Sequence, residues 1–250
     1  FVEIYNLKEA HRNAVAKELE TIQIEAGYMP PDGGSSVGLI AVAEIRDVTH
    51  DIEKPDIITR IEFGEGDKSA AKATTSKTFP KGTPVTDIVE QLYKDMEKQG
   101  VKRGEWKFPD KLKDEVRKRP VTIHGDTRAE LDMLGRSHGF YHSVQNNALE
   151  ILPSNGFLDG AVVLSSGSGL IDVPSITDNG VTVNAMMNPQ IRPGRRVRVI
   201  SKKLEMNSEG DLYRVSSATY FGDNKDGEFR VAITGEAMKG GKVDEGVRAK

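Results

Sequence analysis

Between Leu212 and Gly235 the chain alternates with a period of two. Tyr213, Val215, Ser217, Thr219 and Phe221 fall on one side of the count, and Phe229, Val231 and Ile233 repeat it after the polar turn Asp223–Gly227. A period of two belongs to extended strands with one buried face, so the segment is committed to an antiparallel hairpin. We read Tyr213 through Phe221 as one continuous face. Strands are also predicted at 162–165, 181–186 and 195–204, which makes the last third of the chain all β.

The opening is β as well. Phe1–Tyr5 reads as a strand with Val2 and Ile4 on one face, and Thr21–Ala26 as another. Leu39–Thr49 and Ile57–Phe63 form a long hairpin whose connection is His50–Pro55. A short helical stripe from Leu7 to Val15 follows Asn6, placed as its N-cap with Glu9 at capping-box spacing. Gly27–Gly38 is a loop rich in Pro and Gly. Gly64–Lys81 reads as a flexible connection or an exposed strand edge.

The strongest helical signal lies in the middle. Thr83 is placed as N-cap and Pro84 at the first helical position, where its missing N–H costs nothing. Val85, Ile88, Val89, Leu92 and Met96 make one apolar face, and Gly100 ends it. Asp126 or Thr127 caps a second helix carrying Leu131, Leu134 and His138, terminated by Gly139. Strands at 120–123, 140–144 and 148–152 complete a small α/β unit.

Composition removes several classes of function. Cysteine is absent, which excludes disulfides, thiol nucleophiles and Cys-ligated zinc. Net charge is −3, from 35 basic and 38 acidic residues, a balance that argues against nucleic acid as the main binding partner. The basic runs Lys111–Arg119 and Arg192–Lys203 read as solvated faces. No run approaches the roughly 18 to 20 apolar residues of a spanning helix, and Phe1-Val-Glu-Ile-Tyr5 does not resemble a signal peptide. The first residues are expected to open inside a strand, with the natural start upstream.

Each motif with chemical content fails a physical test. His138 and His142 stand four apart, a two-ligand metal spacing only on a continuous helix, and Gly139 interrupts it. In Ser165-Ser166-Gly167-Ser168-Gly169 nothing separates Ser168 from its glycines, and no helix follows, so it is a turn and not a nucleophile elbow. Asp223–Gly227 places Lys225 at a calcium-ligand position. Gly240-Gly241-Lys242 lacks the hydroxyl residue of a phosphate loop. Glu62 with Glu65, and Asp47 with Asp51 around His50, are carboxylate pairs of no fixed separation. No catalytic, cofactor-binding or metal residues are assigned.

The order of these ordinary pieces carries a resemblance. Phe1 to Leu7, then Ile24-Glu-Ala-Gly-Tyr28, then the strand ending in Glu44 to His50, is similar to the opening of tail proteins of long-tailed phages. Val162 to Leu170, Val183 to Gly194, Arg196-Val-Arg-Val199, Leu212-Tyr-Arg-Val215 and Gly222-Asp223 together resemble the baseplate hub family of contractile-tailed phages such as Mu. The similarity runs along nearly the whole chain.

The resemblance implies a non-enzymatic structural protein without cofactors. It implies a mainly β fold in which two tube-like β-barrel domains flank a smaller α/β domain. The divisions are 1–66, 67–152 with its linker, and 153–238, followed by a flexible tail at 239–250. It further implies a homotrimeric ring around a DNA channel, adapting a six-fold tail tube to a three-fold spike. The implied partners are the central spike, the tail tube or distal tail protein, wedge components, and the DNA or tape-measure protein in the channel. Such a protein is assembled in the host cytoplasm and resides in the virion. A tail-associated cell-wall hydrolase and a β-rich glycan-binding module are the alternatives.

Overall fold

The computed structural model describes residues 1–17, 19–29, 36–65 and 72–244. Parts of three expected segments lie outside the described residues: the Pro- and Gly-rich loop, the Gly64–Lys81 connection and the tail. The chain divides into two compact units. One comprises Phe1–Ile24, Ile40–Trp106 and Asp110–Ile151; the other comprises Glu25–Leu39, Lys107–Pro109 and Leu152–Lys250. The fold is mainly β, as expected.

The first unit opens with β1 (Val2–Tyr5), α1 (Glu9–Lys17), β2 (Thr21–Ala26), β3 (Gly38–Glu53) and β4 (Asp56–Gly64). Their sheet order is β1-β4-β3-β2. β3 and β4 pair out to Glu53 and Asp56, so the expected six-residue connection is a tight turn instead. Lys54 and Pro55 form its tip, where the missing proline N–H breaks no ladder bond. Asn6 is not a helix cap. It takes φ 55° and donates its side-chain amide to Asp56 Oδ1 across 2.7 Å, while its Oδ1 accepts from the Ile57 N–H at 3.1 Å. Asparagine tolerates the left-handed conformation that this turn needs, and α1 starts three residues later.

The helical part of this unit packs around α2 (Val85–Glu97). Val85, Ile88, Val89, Leu92 and Met96 are each 0% exposed. The helix begins at Val85 rather than on a Thr83 cap, because the Thr83 hydroxyl donates to the Pro80 carbonyl at 2.8 Å. α4 (Thr127–His138) packs against it and is capped by Asp126, whose carboxylate accepts from the Arg128 and Ala129 N–H groups. Gly139 stops α4 with φ 75°, a conformation that glycine adopts without steric cost. β5 (Thr74–Phe79) and β7 (Val121–Asp126) make an antiparallel ribbon. β6 (Lys102–Trp106), β9 (Ala148–Pro153) and β8 (Phe140–Gln145) make a three-stranded sheet in that order. The short α3 (Asp110–Lys113) buries Leu112.

The second unit is built on a larger curled sheet. Its strands are β10 (Ala161–Leu164), β11 (Ser175–Thr177), β12 (Gly180–Met186), β13 (Arg196–Val199), β14 (Leu212–Gly222), β15 (Phe229–Lys239) and β16 (Lys242–Val243). The order is β10-β13-β14-β15-β12-β11, with β16 beside β15. β10 pairs parallel with β13, and the other pairs are antiparallel. Val181, Val183, Val197, Val199, Tyr213, Val215, Val231 and Ile233 form one core.

The alternation that defines β14 and β15 holds, but its phase changes partway. The register shifts by one between Val215 and Ser217. Beyond this bulge Ala218 and Tyr220 pack against the core, while Phe221 is exposed. An extra residue in one strand turns every later side chain to the other face, so Tyr213 through Phe221 is two faces and not one.

Two other boundaries differ. The strand expected from Arg195 to Leu204 ends at Val199, because the Ser201 hydroxyl accepts from the Lys203 and Leu204 N–H groups and closes a turn. Residues Lys239–Val243, expected within the tail, instead turn back at Gly240 and Gly241, with φ 59° and 69°. Val243 is then buried and donates its N–H to the Asn155 carbonyl at 2.9 Å. At Gly180, φ is 153° and a Cβ would lie 1.9 Å from the Gly235 carbonyl oxygen, so only glycine fits.

Candidate functional site

The motifs read from the sequence do not converge. His138 lies at the end of α4, where its Nδ1 meets Glu115 Oε2 at 3.0 Å. His142 lies on β8, 3.8 Å from Asp132. Burial pushes the His142 pKa below its ordinary value, the nearby Asp132 opposes this, and Arg128 adds to it. The ring borders a cavity of about 220 Å³ lined also by Glu65, Met96, Ser143 and Val144. Among the described residues no cluster of three or more His, Asp or Glu side chains could hold a metal.

The Ser-Gly turn is a structural device. Ser168 Oγ donates to the Val163 carbonyl at 3.0 Å and accepts from the Ser165 N–H at 3.0 Å. It folds the chain back over the end of β10. Asp223 accepts from the Lys225 N–H at 2.7 Å, and its own N–H donates to the Glu228 carbonyl, which makes an ordinary hairpin turn. Glu62 pairs with Arg60, while Glu65 accepts from the Asn146 N–H. Asp47 accepts from the Val48 N–H, beside the β3 bulge. Lys242 lies on β16, and the Gly240 N–H donates to Glu209.

Two buried polar groupings escaped the sequence reading. Asp95 on α2 accepts from Thr75 at 2.9 Å and Lys98 at 2.7 Å. Burial acts to raise its pKa, but hydrogen bonds from Lys98, Thr75 and Gln91 outweigh it and hold the carboxyl below its usual range. Arg214 on β14, 4% exposed, donates its Nε to Glu236 at 2.7 Å and its Nη1 to the Ser154 and Gly156 carbonyls at 2.8 and 2.9 Å. The signal available in the sequence was a lone charge inside an alternating apolar strand. It names no partner until the register is known.

What the surface does offer is strand ends and apolar side chains. In the second unit, β10 and β11 end the sheet order. Val163 on β10 and Ile171, Val173 and Ile176 on and before β11 are exposed. In the first unit, the tip of the β3–β4 hairpin presents Ile52 at 72% exposure. Large apolar side chains at strand ends are features of assembly surfaces. Among the described residues no helix is long and apolar enough to cross a membrane.

Solved structures share this fold. The 43 kDa tail protein of prophage MuSo2 from Shewanella oneidensis superposes with a TM-score of 0.58 at 10% identity, covering 94% of this chain and 87% of that one. An Escherichia coli component of the type VI secretion system, itself structurally similar to the T4 phage tail proteins gp27 and gp5, gives 0.56 at 11% identity, covering 90% and 71%. A tail protein of Neisseria meningitidis MC58 gives 0.55 at 12%, covering 87% and 92%. No curated protein sequence matches the chain. The fold is thus one found in tail proteins. The Baseplate hub gp41 family model matches residues 2–235, and the chain belongs to that family. It is a structural, virion-associated component of a phage tail baseplate and not an enzyme.

Proposed function

We propose that the chain forms a homotrimeric ring that joins the six-fold tail tube to the three-fold central spike and surrounds the DNA channel. The observation that carries this reading is that the two largest sheets of the chain, of four and seven strands, are separate and each has end strands. Three subunits with two tube-like modules each offer six quasi-equivalent units to a six-fold ring. The modules are centred on residues 1–66 and 153–238, with the α/β module of 67–152 between them in sequence. Subunit packing covers strand edges that would otherwise template aggregation. The partners are the spike, the tail tube or distal tail protein, wedge components, and the DNA or tape-measure protein in the channel. Assembly takes place in the host cytoplasm.

Light scattering coupled to size exclusion tests the stoichiometry. The expected mass is three times the 27.4 kDa of the chain, with a three-fold ring in electron micrographs. A monomer at tens of micromolar, or a ring whose subunit count is not divisible by three, overturns the reading.

A further inference from the structure

β13 carries arginine at alternate positions. Arg196 and Arg198 stand on the face opposite the buried Val197 and Val199. Arg192 sits in the turn leading into the strand, closed by the Arg195 N–H donating to the Arg192 carbonyl at 3.2 Å. None of the three has a carboxylate partner among the described residues. The Nε atoms of Arg192 and Arg196 are buried there without a hydrogen-bond acceptor.

The register explains the vacancy of acids. Arg196 is flanked by Ala161 on β10 and Arg214 on β14, and Arg198 by Val163 and Leu212. No neighbour across either strand pair is acidic, and one is a like charge, an arrangement that is unfavourable in isolation. The acid nearest in the ladder, Glu236, is engaged by Arg214.

Arg214 shows how this sheet treats an arginine whose role is internal: carbonyls and a carboxylate take its donors. Arg196 is held differently. Its guanidinium lies 3.9 Å from the Phe157 ring centroid, and the Lys107 ammonium lies 5.1 Å from the same ring. A ring face fixes the position of a cation but takes none of the in-plane N–H donors. Asp159, 3.9 Å from Lys107, is 85% exposed and offsets one charge.

We propose that the corner formed by Arg192, Arg196 and Arg198 is a docking surface for an acidic segment of a protein partner. A carboxylate matches the planar guanidinium fork that the half-buried Arg192 and Arg196 and the exposed Arg198 offer. Arg196 is pre-positioned by Phe157, so little side-chain freedom is lost on binding. A nucleic-acid backbone fits less well. The chain carries a net charge of −3, and three arginines make few phosphate contacts against that repulsion.

The test is fluorescence anisotropy with a labelled hexaglutamate peptide, titrated with the whole chain at about 50 mM salt, where charge interactions are weakly screened. The expected result is saturable, salt-sensitive binding that weakens by roughly tenfold or more in Arg196→Gln, as loss of a charge-assisted pair implies. Arg198→Gln, at an exposed position, should weaken binding too, and it serves if the Arg196 variant does not fold. Lys102→Gln, on β6 in the other unit, should leave binding unchanged. A hexathymidylate in the same assay should bind more weakly than the peptide. Absence of peptide binding, equal binding by the β13 variants, or tighter binding of the oligonucleotide each overturns the proposal.

Discussion

Thr75 donates its hydroxyl to the Asp95 carboxylate across 2.9 Å, tying β5 to α2 in a site where Thr75 is 1% exposed. Thr75 has a single proton, so the Thr127 hydroxyl 3.0 Å away must be the donor in their bond. The chain of donors runs from Thr127 through Thr75 to the carboxylate, with Lys98 completing it. Three elements of the first unit therefore meet in one directional network.

Thr75→Val should break that network at its centre. It leaves the buried Thr127 hydroxyl without its acceptor and removes one donor from Asp95, at a cost of about 1–3 kcal/mol. Thr75→Ser should recover most of it. Urea unfolding of both variants measures the difference.

Acid should weaken the first unit in two steps. Burial lowers the pKa of folded His142, so the unfolded chain binds a proton first, and stability is lost as pH falls below about 6.5. Asp95 has a lowered pKa, so its contribution is present above about 3.9 and is lost as pH falls through its folded value. Asp132, Arg128 and Glu65 share the surroundings of His142, and Asp132 moderates the first step. His142→Gln should flatten the stability profile between pH 7 and 5 while leaving the lower step. Denaturant midpoints across that range decide it.

Arg214→Ala should be among the most damaging single changes in the second unit. It leaves Glu236 and two carbonyls without their donor, and breaking a buried pair from one side costs about 3–5 kcal/mol. Glu236→Gln should cost less, since the Glu236 side chain is 33% exposed and water replaces part of the interaction. Thermal melts of the two variants should rank in that order.

Leu92→Ala should cost about 2–5 kcal/mol, because the side chain is fully buried and its cavity can collapse only in part. Leu92→Lys should be worse, since it also places a charge in that site. Tolerance of the lysine, read by circular dichroism and solubility, would refute the packing of α2.

The sequence made α2 legible because its five apolar positions repeat with one period from end to end. The phase change in β14 was not legible, since Ser216 and Ser217 look like any polar pair and a bulge has no residue signature here. Asn6 suits both a cap and a left-handed turn, and only the Asp56 contact decides between them. Tyr28 falls in a Pro- and Gly-rich loop by sequence, yet it donates its hydroxyl to the Phe229 carbonyl at 3.1 Å and packs edge-on against that ring. Contacts between residues two hundred positions apart leave no local trace. The basic run at Arg192–Lys203 was visible, but which arginines lack partners depends on register.

The parallel pairing of β10 with β13 also sets an order of events in time. The β11–β12 and β14–β15 hairpins join neighbours in sequence and can close early. β10 must wait until the segment from Ser165 to Arg195 has folded, because its partner strand lies beyond it and the loop to be closed is long. With only four residues on each side, this junction gains little until the rest of the sheet is present. β10 should therefore lock after these two hairpins, and until it does the edge of β13 lies bare.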